Sequence, residues 1–341
     1  MTAHPRLELR VTRPVIAFDI GGTDVKIAVV DARGEVVETR SMPTPTHDAA
    51  ALVAALASAV ADAARDHPHA APEAVGVHVA GVVDDDRGVV VLAEHVGLRD
   101  VPMRDLLADA TGLPVAFGND ARGAGVAEFE MGAARGARDA VVVTIGTGIG
   151  AAVFVDGRLY TAGGRGAELG HLRTTPVGSD AGVRCACGGS GCLETVASAH
   201  GVADAYARAT GSATTEGGSA RVFRAAAAGD PVAQRVVDAC IDALALAFAQ
   251  LTAILSPEVV VVAGGLSRAG EQLLGPLRER LDSLLTFQRR PLVVAARFGG
   301  QAGVIASALI AGRLPEAGGS AADSPAGAMD PAHATAGVVG A

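Results

Sequence analysis

Three cysteines, Cys185, Cys187 and Cys192, crowd into eight consecutive positions, and His171 precedes the first of them by fourteen residues. Three thiolates and an imidazole form a standard closed tetrahedral set for zinc. The intervening glycines at 188, 189 and 191 let a chain curl round one ion. Idle or buried thiols are the alternative, but the segment lacks the apolar residues that would bury them. With four protein donors and no open position, such an ion is structural rather than a source of activated water. Cys240, alone on an apolar stretch, reads as core.

A second chemistry is written in glycine. In Asp19-Ile20-Gly21-Gly22-Thr23-Asp24-Val25-Lys26, paired glycines between two β-branched runs let backbone N–H groups approach a phosphate. Thr23 can add a hydroxyl, and Asp19 and Lys26, the one lysine of the chain, stand nearby. Taken alone, a Gly-Gly pair is more often an ordinary hairpin turn. A second turn in the same setting, Gly146-Thr147-Gly148, shifts the balance, because two such hairpins can grip the distal phosphates of a nucleotide from both sides of a cleft. Neither is a P-loop, for no Gly-Lys-Ser/Thr follows. Neither is a dinucleotide fingerprint, for a strand rather than a helix comes next.

The elements that must hold these groups repeat. From Pro14 the chain reads as strand (15–19), turn, strand (25–30), turn, strand (35–39), then a helix over 48–65 and a strand over 75–80. A helix over 101–110, a short strand over 115–118 and a helix over 121–131 follow, which puts Asn119 and Asp120 at a strand-to-helix junction. At Ala140 the three-strand meander begins again, suggesting duplicated halves. Residues 163–194 form a Gly/Cys-rich loop with the look of a site. Helices then run to Leu255, a buried strand spans 259–263, and helix 271–284, strand 291–295 and helix 302–311 complete the order. Residues 1–13 read as a tail, and 313–341, rich in Ala, Gly, Pro and Ser, as a disordered one.

Composition bounds the rest. Of 341 residues, half are hydrophobic and 19% charged, which excludes a disordered chain and suits a compact α/β enzyme. The 28 basic against 37 acidic residues give −9, the wrong sign for a phosphate-backbone binder, so no nucleic-acid partner is expected. The first apolar stretch is cut by Asp19, and later ones by glycines or charges, so neither a signal peptide nor a membrane partner is expected. Clustered rather than dispersed cysteines fit a reducing cytoplasm.

Together these residues resemble the ROK family of bacterial sugar kinases and sugar-responsive repressors, within the sugar-kinase/Hsp70/actin superfamily. Residues 185–194 match its Cys-x-Cys-Gly-x-x-Gly-Cys-x-Glu signature at each defined position. The resemblance implies an α/β fold of two ribonuclease-H-like domains, mixed sheets flanked by helices, with an interdomain active-site cleft. The smaller would take residues 14–120 plus about 300–312, the larger 121–299. It implies phosphate contacts from Gly21, Gly22, Thr23, Gly146, Thr147 and Gly148, an adenosine motif at Gly264 and Gly265, and Mg²⁺ held through water by Asp19. Asp120 would be the catalytic base; the Asn-Asp pair taken alone reads more readily as a surface helix cap, and its place in the family pattern reverses that. Gly81, Asn119, Glu168, His171 and Glu194 would bind the sugar, His171 also holding Zn²⁺.

Three departures from the family pattern stand out: Ala80 before Gly81 where Pro is common, His95 where Asn is common, and Asp24 where Lys is common. The implied reaction is ATP-dependent phosphorylation of a hexose, with the 6-hydroxyl of glucose first. Mannose, fructose, N-acetylglucosamine and N-acetylmannosamine are the rival substrates. A sugar-sensing repressor is the other class, yet only about a dozen residues precede the first strand, too few for a three-helix DNA-binding unit. A binding-only relative is the third reading, and a homodimer is expected from the resemblance alone.

Overall fold

The computed structural model describes residues 9–162, 165–174 and 183–315, so the far ends assigned to tails lie outside the described residues. β-Branched runs build the first meander, β1 (Val15–Ile20), β2 (Asp24–Val30) and β3 (Val36–Pro43), paired antiparallel through short turns. Asp48 caps α1 (Ala49–Asp66), its carboxylate accepting from the Ala51 N–H at 2.9 Å. The apolar stripe Leu52, Leu56, Val60 and Ala63 packs on the sheet and returns the chain, so that β4 (Ala74–Val79) runs parallel to β1. Both strands are covered on two faces, which is why they read as continuous apolar runs rather than alternating ones.

Next comes an element absent from the sequence reading. β5 (Val82–Asp84), β6 (Val89–Ala93) and β7 (Leu98–Val101) form a small antiparallel sheet of their own. Val101 therefore ends a strand instead of opening a helix; Pro102 supplies the cap position of α2 (Met103–Thr111). Strand β8 (Val115–Asn119) completes the first sheet in the order β3-β2-β1-β4-β8, and α3 (Asp120–Glu130) leaves from its end.

The second half repeats the plan. β9 (Ala140–Ile145), β10 (Ile149–Val155) and β11 (Arg158–Tyr160) make the meander, and β12 (Val259–Ala263) and β13 (Leu292–Ala295) add in parallel, giving β11-β10-β9-β12-β13. Between them lie α4 (Glu194–Ala197), α5 (Ala199–Thr210), α6 (Gly218–Ala227) and α7 (Pro231–Leu255), and between the last strands α8 (Glu271–Leu284). By length and hydropathy α7 is the one helix among the described residues that suits a membrane span, yet Val237, Ile241, Leu244 and Phe248 bury it in the core of this half.

The last helix, α9 (Ala302–Ala311), crosses back to the first sheet and packs on β1 and β4. Burying Val304, Ile305 and Leu309 there contributes roughly 1.5–3 kcal/mol each. Helix α3 touches both halves. Ala124 and Ala127 share a cluster with α9, while Phe129 stacks on Phe154 of β10 at 4.0 Å. The expected mixed sheets flanked by helices are thus present twice. Near the start of the described chain, Leu9 is buried, and Thr12 and Arg13 bond the carbonyls of Gly312 and Leu314.

Candidate active site

Asp19, the penultimate residue of β1, has its side chain 15% exposed and pressed by the first turn of α9, where a β carbon on residue 303 would lie 2.5 Å from the Asp19 carboxyl carbon. Lys26, its register partner on β2, holds it at 3.2 Å and donates also to the Gly300 carbonyl at 2.8 Å. Between them the Gly21–Thr23 turn is pinned from outside. Thr44 donates its N–H to the Thr23 carbonyl and its hydroxyl to that of Gly21. Gly22 lies against His95, 2.7 Å separating the His95 β carbon from the place of a β carbon at 22. Asp24 and Lys26 face a groove of about 930 Å³ beside α9, so the acid at 24 lines the outer face of β2.

Asp120 opens α3. Part of its surface faces the open space, but the surrounding protein desolvates it, and that burial together with the like charge of Asp19 pushes its carboxyl up to about 6. Asp19 and Asp120 are thus near enough for the charge of one to act on the other. Asn119 is the true N-cap: its Oδ1 accepts from the Arg122 N–H at 3.0 Å. Its amide donates to the Gly81 carbonyl at 2.8 Å and to Asp120 Oδ1 at 3.2 Å. The cap reading of the pair therefore holds for Asn119. Gly81 has φ +135°, and a β carbon there would meet the Leu92 carbonyl at 2.5 Å, so the turn into β5 needs glycine.

From α3 the site continues into the second half. Ala121 lies against Gly150, and the next residues back, Gly146–Gly148, form the second hairpin, closed by Gly146 N–H to the Gly148 carbonyl at 2.9 Å. Glu194, the first residue of α4, stands over it, its Oε2 2.9 Å from where a β carbon on 148 would be. The short turn Leu169–His171 packs its Gly170 on the Ile149 backbone, which brings Glu168 and His171 to the same hairpin. Gly264 adjoins from β12. With φ +84° and ψ −173°, and the Ile145 carbonyl 2.4 Å from the place of a β carbon, only glycine fits. Gly265 beside it faces open space.

His171, Cys185, Cys187 and Cys192 bring one donor atom each within 4.8 Å of one another. Cys187 and Cys192 sulfurs are 3.7 Å apart, as are Cys185 Sγ and His171 Nδ1. Tetrahedral Zn–S bonds of about 2.3 Å require sulfur separations of about 3.8 Å, so the donor set fits zinc. Burial and the Glu194 carboxylate, which accepts from Cys185 at 2.8 Å, push the Cys185 thiol up. Glu194 thus links the four-donor cluster to the second hairpin.

The family profile of the ROK family matches residues 15–313. The chain belongs to the ROK family. It is 34% identical over 287 residues to a glucokinase of Halalkalibacterium halodurans, covering 79% of this chain and 85% of that one. Among solved structures, the ROK hexokinase of Thermus thermophilus superposes with a TM-score of 0.78 at 34% identity, over 87% of this chain and 97% of that one. A ROK glucokinase of Streptomyces griseus, solved with glucose and AMPPNP, gives 0.71 at 34% identity, over 87% and 99%. Membership makes the chain's actin-like, two-sheet architecture a family trait.

Sequence reasoning missed the polar groups beneath the site. His78, opposite Asp19 in the β1–β4 register, is fully buried with Nδ1 2.7 Å from the Ser307 hydroxyl. Burial, then the charge of Arg122, holds it down to about 4, so it is neutral at pH 7. Arg122 itself is buried and paired with Asp85. No spacing rule finds such pairs; the one available signal was an arginine inside the otherwise small-residue run 121–127.

Proposed function

We propose that this chain transfers the γ-phosphoryl group of ATP to a hexose hydroxyl, with the 6-hydroxyl of glucose as the preferred acceptor. The observation that carries the reading is Asp120, a desolvated carboxylate at a helix start whose basicity is raised toward neutrality by burial and by Asp19, with Ala121 next to it against Gly150 of β10. As the sugar oxygen bonds to Pγ and the bond from Pγ to the ADP oxygen breaks, Asp120 takes the hydroxyl proton. Asn119 orients Asp120 through the 3.2 Å bond and offers its amide to the neighbouring sugar hydroxyl. Gly81, Glu168, His171 and Glu194 hold the remaining hydroxyls; carboxylates suit a neutral polyol and repel an anionic one.

Backbone N–H groups of Gly21, Gly22, Gly146 and Gly148, with the Thr23 and Thr147 hydroxyls and Lys26, receive the phosphates, and Gly264 and Gly265 pass beside the adenosine. Asp19, whose like charge raises the proton affinity of Asp120, is also a fit for a cation: Mg²⁺, held through water by Asp19, would supply charge neutralisation to the phosphates. Zn²⁺ on His171, Cys185, Cys187 and Cys192 would supply rigidity to the loop that carries His171 and Glu194.

Residues 14–120 with about 300–312, and 121–299, act in this reading as two domains closing on the substrates. The setting is a reducing cytoplasm, and the acting form a homodimer. The test is kcat/KM by coupled ADP release with ATP across glucose, mannose, fructose, N-acetylglucosamine and N-acetylmannosamine. Glucose is expected to rank first, and no sugar-stimulated turnover with any of them refutes the kinase reading.

A further inference from the structure

Two polar ties fasten the first turn of α3 to the small β5–β6–β7 sheet. One is the Asn119 amide on the Gly81 carbonyl. The other is Arg122, which reaches Asp85 in the turn after β5: its Nε donates to Oδ2 at 3.0 Å and its Nη2 lies 2.8 Å from the same oxygen. The Arg122 side chain is 9% exposed and that of Asp85 27%, so the pair is largely withdrawn from water. The charge of Arg122 is felt at Asp120, two residues before it, and at His78 beneath.

An arginine two residues after a carboxylate base, on a side chain long enough to turn back toward it, has two arrangements open to it. Paired with Asp120, the guanidinium would cover the oxygen that must receive the sugar proton and would weaken it as an acceptor. Paired elsewhere, it leaves that oxygen free and still contributes a compensating charge at longer range. Asp85 is the carboxylate that draws it away, and it does so from the hairpin that begins at Gly81, on the sugar side of the base.

We propose that Asp85 is a positioning residue for the phosphoryl transfer: its ion pair with Arg122 holds the guanidinium off Asp120 and locks the Gly81 turn against the base. The inference rests on the sugar-kinase reading. Asp85 touches neither substrate in this account; it acts through Arg122.

The experiment is a two-residue cycle with ATP and the best hexose of the panel. Asp85→Asn keeps the shape and removes the charge. Its kcat is expected to fall about tenfold, while the sugar Kd, measured by calorimetry without nucleotide, stays within about threefold of wild type. The double variant Asp85→Asn/Arg122→Gln is expected to regain most of that kcat, because no guanidinium remains to capture the base. A pair that only docked the hairpin gives the opposite pattern, the double variant being as slow as Asp85→Asn or slower. That result, or an Asp85→Asn kcat within about twofold of wild type, overturns the proposal. If Asp85→Asn alone does not fold, the double variant is compared with Arg122→Gln, and a further drop in kcat between those two overturns it. A wild type silent on every sugar defeats the kinase reading instead, so the two failures are distinguishable.

Discussion

Asp120 is placed where the fold works against it. Burial and the neighbouring Asp19 raise its proton affinity to about 6, so the folded chain holds that proton more tightly than the unfolded chain does. The sign follows from linkage: above pH 6 the ionised group costs stability, and the cost fades as pH falls through 6 toward the ordinary carboxylate range. Asp120→Asn is therefore expected to keep sugar binding, lose roughly two orders of magnitude in kcat, and gain about 1–2 kcal/mol in stability at pH 8 after allowance for the part open to water. Near-normal turnover, or a melting temperature unchanged at pH 8, would remove the residue from that role. The same value sets the pH dependence of the wild type, since a base must be ionised to accept a proton. A kcat/KM profile is expected to fall on the acid side with an apparent value near 6, and a limb at 4 would contradict the desolvated site.

At the scale of elements, the cysteine loop carries its own folding information. The separation of its sulfurs already matches a tetrahedral ion, and Glu194, two residues after Cys192, stands over the Gly148 turn. Cys187→Ser is expected to lower bound metal measured by atomic absorption, bring the melting temperature down by several degrees, and raise the sugar KM more than the ATP KM. Unchanged zinc content would refute the ligand set. This motif, both glycine hairpins and the Asn119-Asp120 junction were legible because each is a short run whose residue types state their geometry. The β5–β6–β7 sheet was not: its strands are three to five residues long, and the charged run 84–87 reads as loop. Nor were the pairs Arg122–Asp85 and His78–Ser307, 37 and 229 residues apart, because side-chain bonds across a fold leave no periodic trace. The second sheet's outer strand β13 was read correctly, its apolar run being bounded by Pro291 and the change to Arg297.

At the scale of the molecule, two copies of one sheet order stand on either side of α3, and the groups of the site are divided between them. Asp19, Lys26 and Asp120 belong to the first sheet and its exit, while Gly148, Glu194 and the His171 turn belong to the second. In the proposed reading neither half holds a complete set, and approach of the halves would bring base and phosphate cradle to one hydroxyl. Helix α3 meets the second half through Ala121 on Gly150 and a glycine at 125 against Ala152, followed by Val126 and the Phe129–Phe154 stack. If sugar binding supplies the free energy for closure, water alone in the sugar's place lacks the hydroxyl contacts that would draw the halves together. ADP release without sugar is then expected to be at least about a hundredfold slower than with saturating hexose, although water is present at far higher concentration. ADP release at a comparable rate in sugar-free buffer would mean that the base and both hairpins are already assembled in the open chain, and that selectivity against water comes from the pocket of Glu168, His171 and Glu194 alone.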